Sequence, residues 1–185
     1  MACALVALDS TSGCPDNEGG LQHSYVCKLS DITAITVTSG VISAITMSTT
    51  GLIKKLVYDK NETSYFNQVG ERTNDTGALK YSAEALMSFG GMSSTYKSFA
   101  DDMGDCCKLV FFHVLQNGSI VVQGIEIDTG ATGNLTGTKV RDTKITPTQN
   151  SGTSAEEAAL QIIVRGRSKK MAPFTSLTQA AIEAL

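Results

Sequence analysis

The chain has 185 residues, of which 42% are hydrophobic and 18% charged, with a net charge of -3 and a pI near 5.3. That is enough apolar material for one core, and it excludes a wholly disordered chain. The balance is weakly acidic, which argues against stable wrapping of nucleic acid, and no apolar run is long enough for a transmembrane helix.

Ser and Thr are abundant, at 18 and 21 residues, while Pro is 3 and Trp is absent. Such a chain favours many strands joined by tight turns. The apolar start, Met1 to Leu8, has no basic residue before it and meets Asp9 at once. It is read as lacking an export signal. Five cysteines are present: Cys3, Cys14, Cys27, Cys106 and Cys107. The number is odd, no CxxC occurs, and the adjacent pair would point to opposite faces of a strand. They read as small buried hydrophobes, with a Cys3–Cys14 or Cys14–Cys27 bridge left open.

Residues 9–22 are turn formers and read as an N-terminal arm. Ser24 to Leu29 is a short alternating strand. Residues 32–38 and 41–47 are β-branched runs separated by Ser39-Gly40, which predicts a hairpin. Residues 51–60 predict a longer strand. Residues 61–76 are polar and read as an excursion between strands. Residues 78–89 alternate, with Leu79, Tyr81, Ala83, Ala85 and Met87 on one face and Lys80, Ser82 and Glu84 on the other. The reading is a strand, with a helix as the alternative because of the Ala content.

Gly90-Gly91 breaks the chain, and Ser93 or Ser94 can cap a helix running to about Met103. Its face would be Tyr96, Phe99, Ala100 and Met103, with Asp101 and Asp102 outward. Residues 107–115 predict a strand that is apolar on both faces and therefore central. Asn117-Gly118 suits a type I′ turn, and residues 120–127 return as one strand. Residues 128–154 read as a long polar loop. Residues 158–165 give a last strand. Pro173 then interrupts, and residues 175–185 can form a terminal helix capped by Thr175 or Ser176. The sum is seven or eight strands and one central helix in a single domain spanning residues 1–185. Its arm is 1–22, its long loop 128–154 and its tail 171–185. The fold class expected is mainly β, a sandwich or partly closed barrel with one flanking helix.

No catalytic, cofactor or metal motif stands out, and no enzyme activity is expected. Asp101, Asp102 and Asp105 read as a solvated helix end. His113, mid-strand in an apolar run, reads as a buried, hydrogen-bonded core histidine. His23 near Cys27 sits in a turn-rich arm. Four Asn-x-Ser/Thr triplets, at Asn61, Asn74, Asn117 and Asn134, are expected by chance in a chain this rich in Ser and Thr. The two long polar excursions and the terminal arms read either as disordered loops or as contact elements that order on assembly.

The order of segments resembles tail-tube-like (major tail) proteins of bacterial viruses, in particular those infecting Bacteroidetes. The residues that carry this are Cys14 with Gly19-Gly20, Asp31 to Val37, Ile42 to Met47 and Lys54 to Asn61. Leu109 to Phe112, Asn117-Gly118, Val121 to Gly124, Ile162 to Gly166 and Ala172 to Phe174 complete the set. Residues 175–185 continue past the family's usual end. The resemblance implies a tail-tube fold with long hairpin loops and extended termini. It implies hexameric rings that stack into a channel through which genomic DNA passes, in a virion assembled in a bacterial host. A weakly acidic wall suits this, because it repels phosphates. On this reading Lys60, Asn61, Glu62, Tyr65, Glu71 and Arg72 contact the next ring. Lys139, Arg141, Lys144, Arg165 and Arg167 contact neighbours within a ring. Partners are other copies and other tail proteins, with no membrane, cofactor or small-molecule ligand. The alternatives are a tail terminator or neck ring at the head–tail junction, and a carbohydrate-binding β-sandwich module of a tail fibre.

Overall fold

The hairpin across Ser39-Gly40 forms as expected. Ser39 has φ 52° and Gly40 φ 78°, the two positive angles that let a two-residue turn follow the strand twist. A computed structural model describes residues 8–9, 20–57, 64–72, 79–90, 98–99, 101–103, 108–127, 133–135, 139–146 and 159–185. Among these the chain is mainly β. The strands are β1 (Leu8–Asp9), β2 (Leu21–Lys28), β3 (Ile32–Thr38), β4 (Val41–Met47), β5 (Lys54–Val57), β6 (Tyr65–Arg72) and β7 (Leu79–Gly90). They continue with β8 (Leu109–Leu115), β9 (Ile120–Gln123), β10 (Ile125–Ile127), β11 (Gly133–Leu135), β12 (Lys139–Thr146), β13 (Ala159–Ser168) and β14 (Phe174–Thr175). Helical residues 98–99 and 101–103 are called α1, and α2 is Gln179–Glu183.

One sheet has eight strands in the order β1-β5-β2-β8-β9-β14-β4-β3, and a second has four, β12-β13-β7-β6. A β10–β11 hairpin stands apart. The large sheet cannot be flat. β2 and β3 lie five strand positions apart, which is about 24 Å in a flat sheet. Yet only Leu29–Asp31, a 3₁₀ turn, joins them, and that stretch spans at most about 14 Å. The sheet therefore rolls toward a barrel, and β2 and β3 form no ladder with each other, so the barrel is open.

Two cores result. The first lies between the sheets and gathers Leu21, Val26, Leu109 and Phe111 from the large sheet with Met87, Phe89, Ile162 and Val164 from the small one. Phe99 and Met103 of α1 are fully buried in it, as the helical spacing predicts. The second fills the rolled sheet with Tyr25, Cys27, Ile42, Val110, Phe112 and Ile182 among others. β8 supplies both, Phe111 to one face and Phe112 to the other, so its central position follows from its unbroken apolar run. A register shift between Leu21 and His23 puts Leu21 into the first core, where strict alternation would have put it in the second.

Several expectations need correction. The strand expected over 51–60 covers Lys54–Val57, with 58–60 outside the described residues. Residues 65–72 of the supposed polar excursion are strand β6, zipped along β7 from Tyr65↔Leu86 to Arg72↔Leu79. Within 128–154, β11 and β12 replace part of the expected loop. Leu21 and Gln22 belong to β2 rather than to an arm. The return after β8 is not one strand: Gly124, at φ 102°, breaks it, and β10 leaves to pair with β11. The β8–β9 turn is not type I′, since Gly118 alone has positive φ there. Gly118 N donates to Leu115 O at 2.9 Å and Leu115 N to Ser119 O at 2.9 Å, a three-residue loop over 116–118 with glycine in the left-handed position. The count of seven or eight strands is too low, because β1, β6, β11, β12 and β14 lie outside the expected strands and 120–127 divides into β9 and β10. The C-terminal tail is no extended arm either: it enters the large sheet as β14 and the second core as α2.

Candidate functional site

The residues proposed for contacts converge on one sheet. Tyr65, Glu71 and Arg72 lie on β6; Lys139, Arg141 and Lys144 on β12; Arg165 and Arg167 on β13. These are the two edges and one inner strand of the four-stranded sheet. Lys60, Asn61 and Glu62 lie outside the described residues. Residues directly opposed across a ladder share a face. Ile162 and Val164 oppose Met87 and Ala85 on the core side. Arg165 and Arg167 therefore share the other side with Glu84 and Ser82, and Tyr65, Asn67 and Val69 follow on β6.

That outer face is open: Val69 is 45% and Tyr65 37% exposed, and Arg165, Arg167, Lys80 and Glu71 are exposed too. Its centre is Glu84, which the chain order alone did not single out. The Tyr65 hydroxyl donates to Glu84 Oε1 at 2.6 Å, and Arg165 Nε donates to Oε2 of the same carboxylate. Both bonds favour the charged carboxylate, Tyr65 foremost, and hold Glu84 below its ordinary range. The same carboxylate acceptor holds the Tyr65 hydroxyl proton on to higher pH. The bridge thus ties residues from β6, β7 and β13 into one rigid patch, joining the two sets that the sequence reading kept apart.

The other polar constellation is sealed. His113 is fully buried between the sheets, as its place in an apolar strand predicts. Gln123 Nε2 donates to Ala83 O at 3.1 Å, so Gln123 Oε1 must accept from His113 Nε2–H, at 2.9 Å. His113 Nδ1 is then a bare acceptor, and the Ser24 hydroxyl donates to it at 2.7 Å. Phe111 stacks on the ring with centroids 5.7 Å apart, and Phe66 leans on it at 5.2 Å. Burial lowers the His113 pKa to about 4, against a smaller upward pull from Gln123. A hydroxyl–imidazole–amide chain is also the arrangement of a nucleophilic relay. Here Ser24 and His113 are both wholly inaccessible, and the chain satisfies polar groups across the sandwich.

A third cluster anchors the tail. The buried Tyr25 donates to Glu183 Oε1 at 2.7 Å, Lys55 Nζ donates to the same oxygen at 2.9 Å, and His23 Nε2 lies 3.1 Å from the Tyr25 hydroxyl. His23 is thus a strand residue facing Tyr25, not a partner of Cys27. The Cys27 thiol is pushed up to about 12 by burial and by Asp31, which makes it a poor nucleophile.

No matching family model, curated protein or solved structure was found for this chain. Among the described residues no group of His, Cys, Asp or Glu is arranged to hold a metal ion, and no helix is long and apolar enough to cross a membrane. An open groove of about 510 Å³ beside Phe174 and Leu177 is lined by no titratable side chain. A crevice of about 20 Å³ between Ala83, Gln123 and Arg167 has room for about one water.

Proposed function

We propose that the chain is a self-assembling structural subunit of a phage tail tube, built into hexameric rings that stack to form the channel for genome ejection. The observation that carries this is the four-stranded sheet. Among the described residues its edge strands β6 and β12 each pair on one side only, and its outer face holds a preorganised Tyr65–Glu84–Arg165 bridge beside exposed Val69. An edge strand offers a row of main-chain donors and acceptors to another chain. Two unlike edges on one sheet suit a head-to-tail contact, which closes into a ring when the rotation permits. On this reading β6 of one copy meets β12 of the next, and the outer face lies along the ring. Partners are further copies and neighbouring tail proteins, and the place of action is the virion.

The test is negative-stain electron microscopy of concentrated full-length protein, beside the Val69→Lys variant. Stacked six-fold rings that disappear in the variant, with its fold intact by circular dichroism, are expected. Val69 is exposed, so the added charge blocks edge pairing without disturbing the core. Closed rings that never stack would assign the chain to a tail terminator or neck. A protein that stays monomeric at every concentration would overturn self-assembly and favour the carbohydrate-binding module.

A further inference from the structure

The C-terminal segment supplies the ladder between two parts of the large sheet that are not paired with each other. β9 and β4 are not paired with each other, and β14 alone lies between them. It runs antiparallel to β9 through Phe174↔Val121 and Thr175↔Ile120, and parallel to β4 through Thr175↔Ile42. Val122 N donates to Pro173 O at 2.8 Å, and Ser176 N donates to Ile42 O at 2.9 Å. The Thr175 hydroxyl donates to the same Ile42 carbonyl at 2.8 Å. The slot is therefore read largely by main chain, and it accepts any strand of that shape. Beyond it, Ile182 is fully buried in the second core, with Leu177 and Leu185 packed beside it, and Glu183 closes the Tyr25–Lys55 clamp.

The link to the rest of the chain is slight by comparison. β13 ends at Ser168 in the other sheet, and residues 169–172 cross between the sheets. Lys169 and Lys170 are exposed there, Met171 is 60% exposed, and Phe174 is 51% exposed. Two large apolar side chains thus stand in water at the crossing, beside an open groove. A segment with a self-contained docking surface and a short exposed hinge can leave its own slot and enter an identical one. The exchange repeats every contact of the slot and offers cover to Met171 and Phe174, which the closed form leaves bare.

We infer that residues 173–185 are exchanged between copies on assembly: each copy's tail fills the slot between β9 and β4 of its neighbour, and residues 169–172 become the crossing. This rests on the self-assembly reading and adds to it a strap that locks each copy to the next. Removing a strand from the middle of a sheet and replacing it from outside also predicts slow association, limited by release of the tail.

The experiment uses the full-length chain with Val121→Cys and Phe174→Cys, an opposed pair close enough for a disulfide. Light and ¹⁵N-labelled monomers are mixed in equal amounts, concentrated and oxidised, and the 121–174 linked peptides are read by mass spectrometry. In the assembled fraction about half of those links should join a light to a heavy peptide, as random exchange requires, and in the monomer fraction none. Adding Glu183→Gln, which removes the ion pair with Lys55, should raise the rate at which mixed links accumulate. Assemblies whose links are all within one isotope overturn the exchange while leaving self-assembly standing. The absence of any assembled fraction overturns both. The absence of 121–174 links in every fraction overturns the assignment of the slot itself.

Discussion

Acidification should loosen the sandwich through one residue, His113. Folded, its ring is neutral, with a pKa lowered to about 4 by burial; unfolded, it has the ordinary value near 6.5. The unfolded chain therefore binds the proton first as pH falls. Stability is fully present above about pH 6.5 and is lost between there and about pH 4. From these two values the loss is about 2 kcal/mol at pH 5 relative to pH 7.5, approaching about 3 kcal/mol at the acid limit. The site has no easy way round this cost. Ser24 and Gln123 occupy both ring nitrogens, and Phe111 and Phe66 cover its faces. Urea unfolding at pH 7.5, 6.5, 5.5 and 5.0, with His113→Gln beside the native chain, measures the effect. The variant should be less stable at pH 7.5 and nearly flat across the window, while the native chain slopes. Equal slopes in the two proteins would show that other groups carry the acid sensitivity, and the argument from the buried relay would fail.

Three further outcomes follow from local geometry. Gly20 has φ +104°, and a Cβ there would sit 2.8 Å from the Ser64 carbonyl oxygen; Gly20→Ala should cost about 2 kcal/mol in thermal or urea unfolding, and a neutral result would place that contact elsewhere. Gln68 Nε2 is buried without a hydrogen-bond partner, so Gln68→Met should raise stability by about 1 kcal/mol; a loss of that size would mean the amide is satisfied in solution. Cys27, fully buried with its thiol pushed up to about 12, should resist iodoacetamide at pH 8 in the native protein and react in urea, as mapped by peptide mass spectrometry. Rapid native labelling of Cys27 would show that the second core opens.

What the sequence determined by itself were features settled within a few residues. Ser39-Gly40 can take two positive φ angles, so the β3–β4 hairpin needs no distant partner. The run Leu109 to Leu115 must be covered on both faces because both faces are apolar. Phe99 and Met103, four apart, had to share one side of a helix. His113 in such a run had to be buried and bonded, although its partners Ser24 and Gln123 were not legible, since Ser24 lies 89 residues away in the chain.

Only the tertiary structure decided the rest. Residues 65–72 carry too few inward apolar side chains to announce a strand; they become one because β7 offers a long ladder to complete. The sequence offers Thr175 or Ser176 as the cap of the last helix, but the Thr175 hydroxyl is taken by Ile42 O and by Leu177 N, and the Ser176 hydroxyl donates to Ile42 O. Thr178 caps instead, accepting from Ala181 N at 3.2 Å. The sequence places the proposed contact residues on two separate excursions and by the last strand, and pairing of β13 with both β7 and β12 puts the described ones on one sheet around Glu84. Period-two alternation says which face a residue takes along its own strand. It says nothing of which strand lies alongside, and that neighbour relation, fixed by sheet order, assembles the exposed patch, the buried relay and the tail's slot.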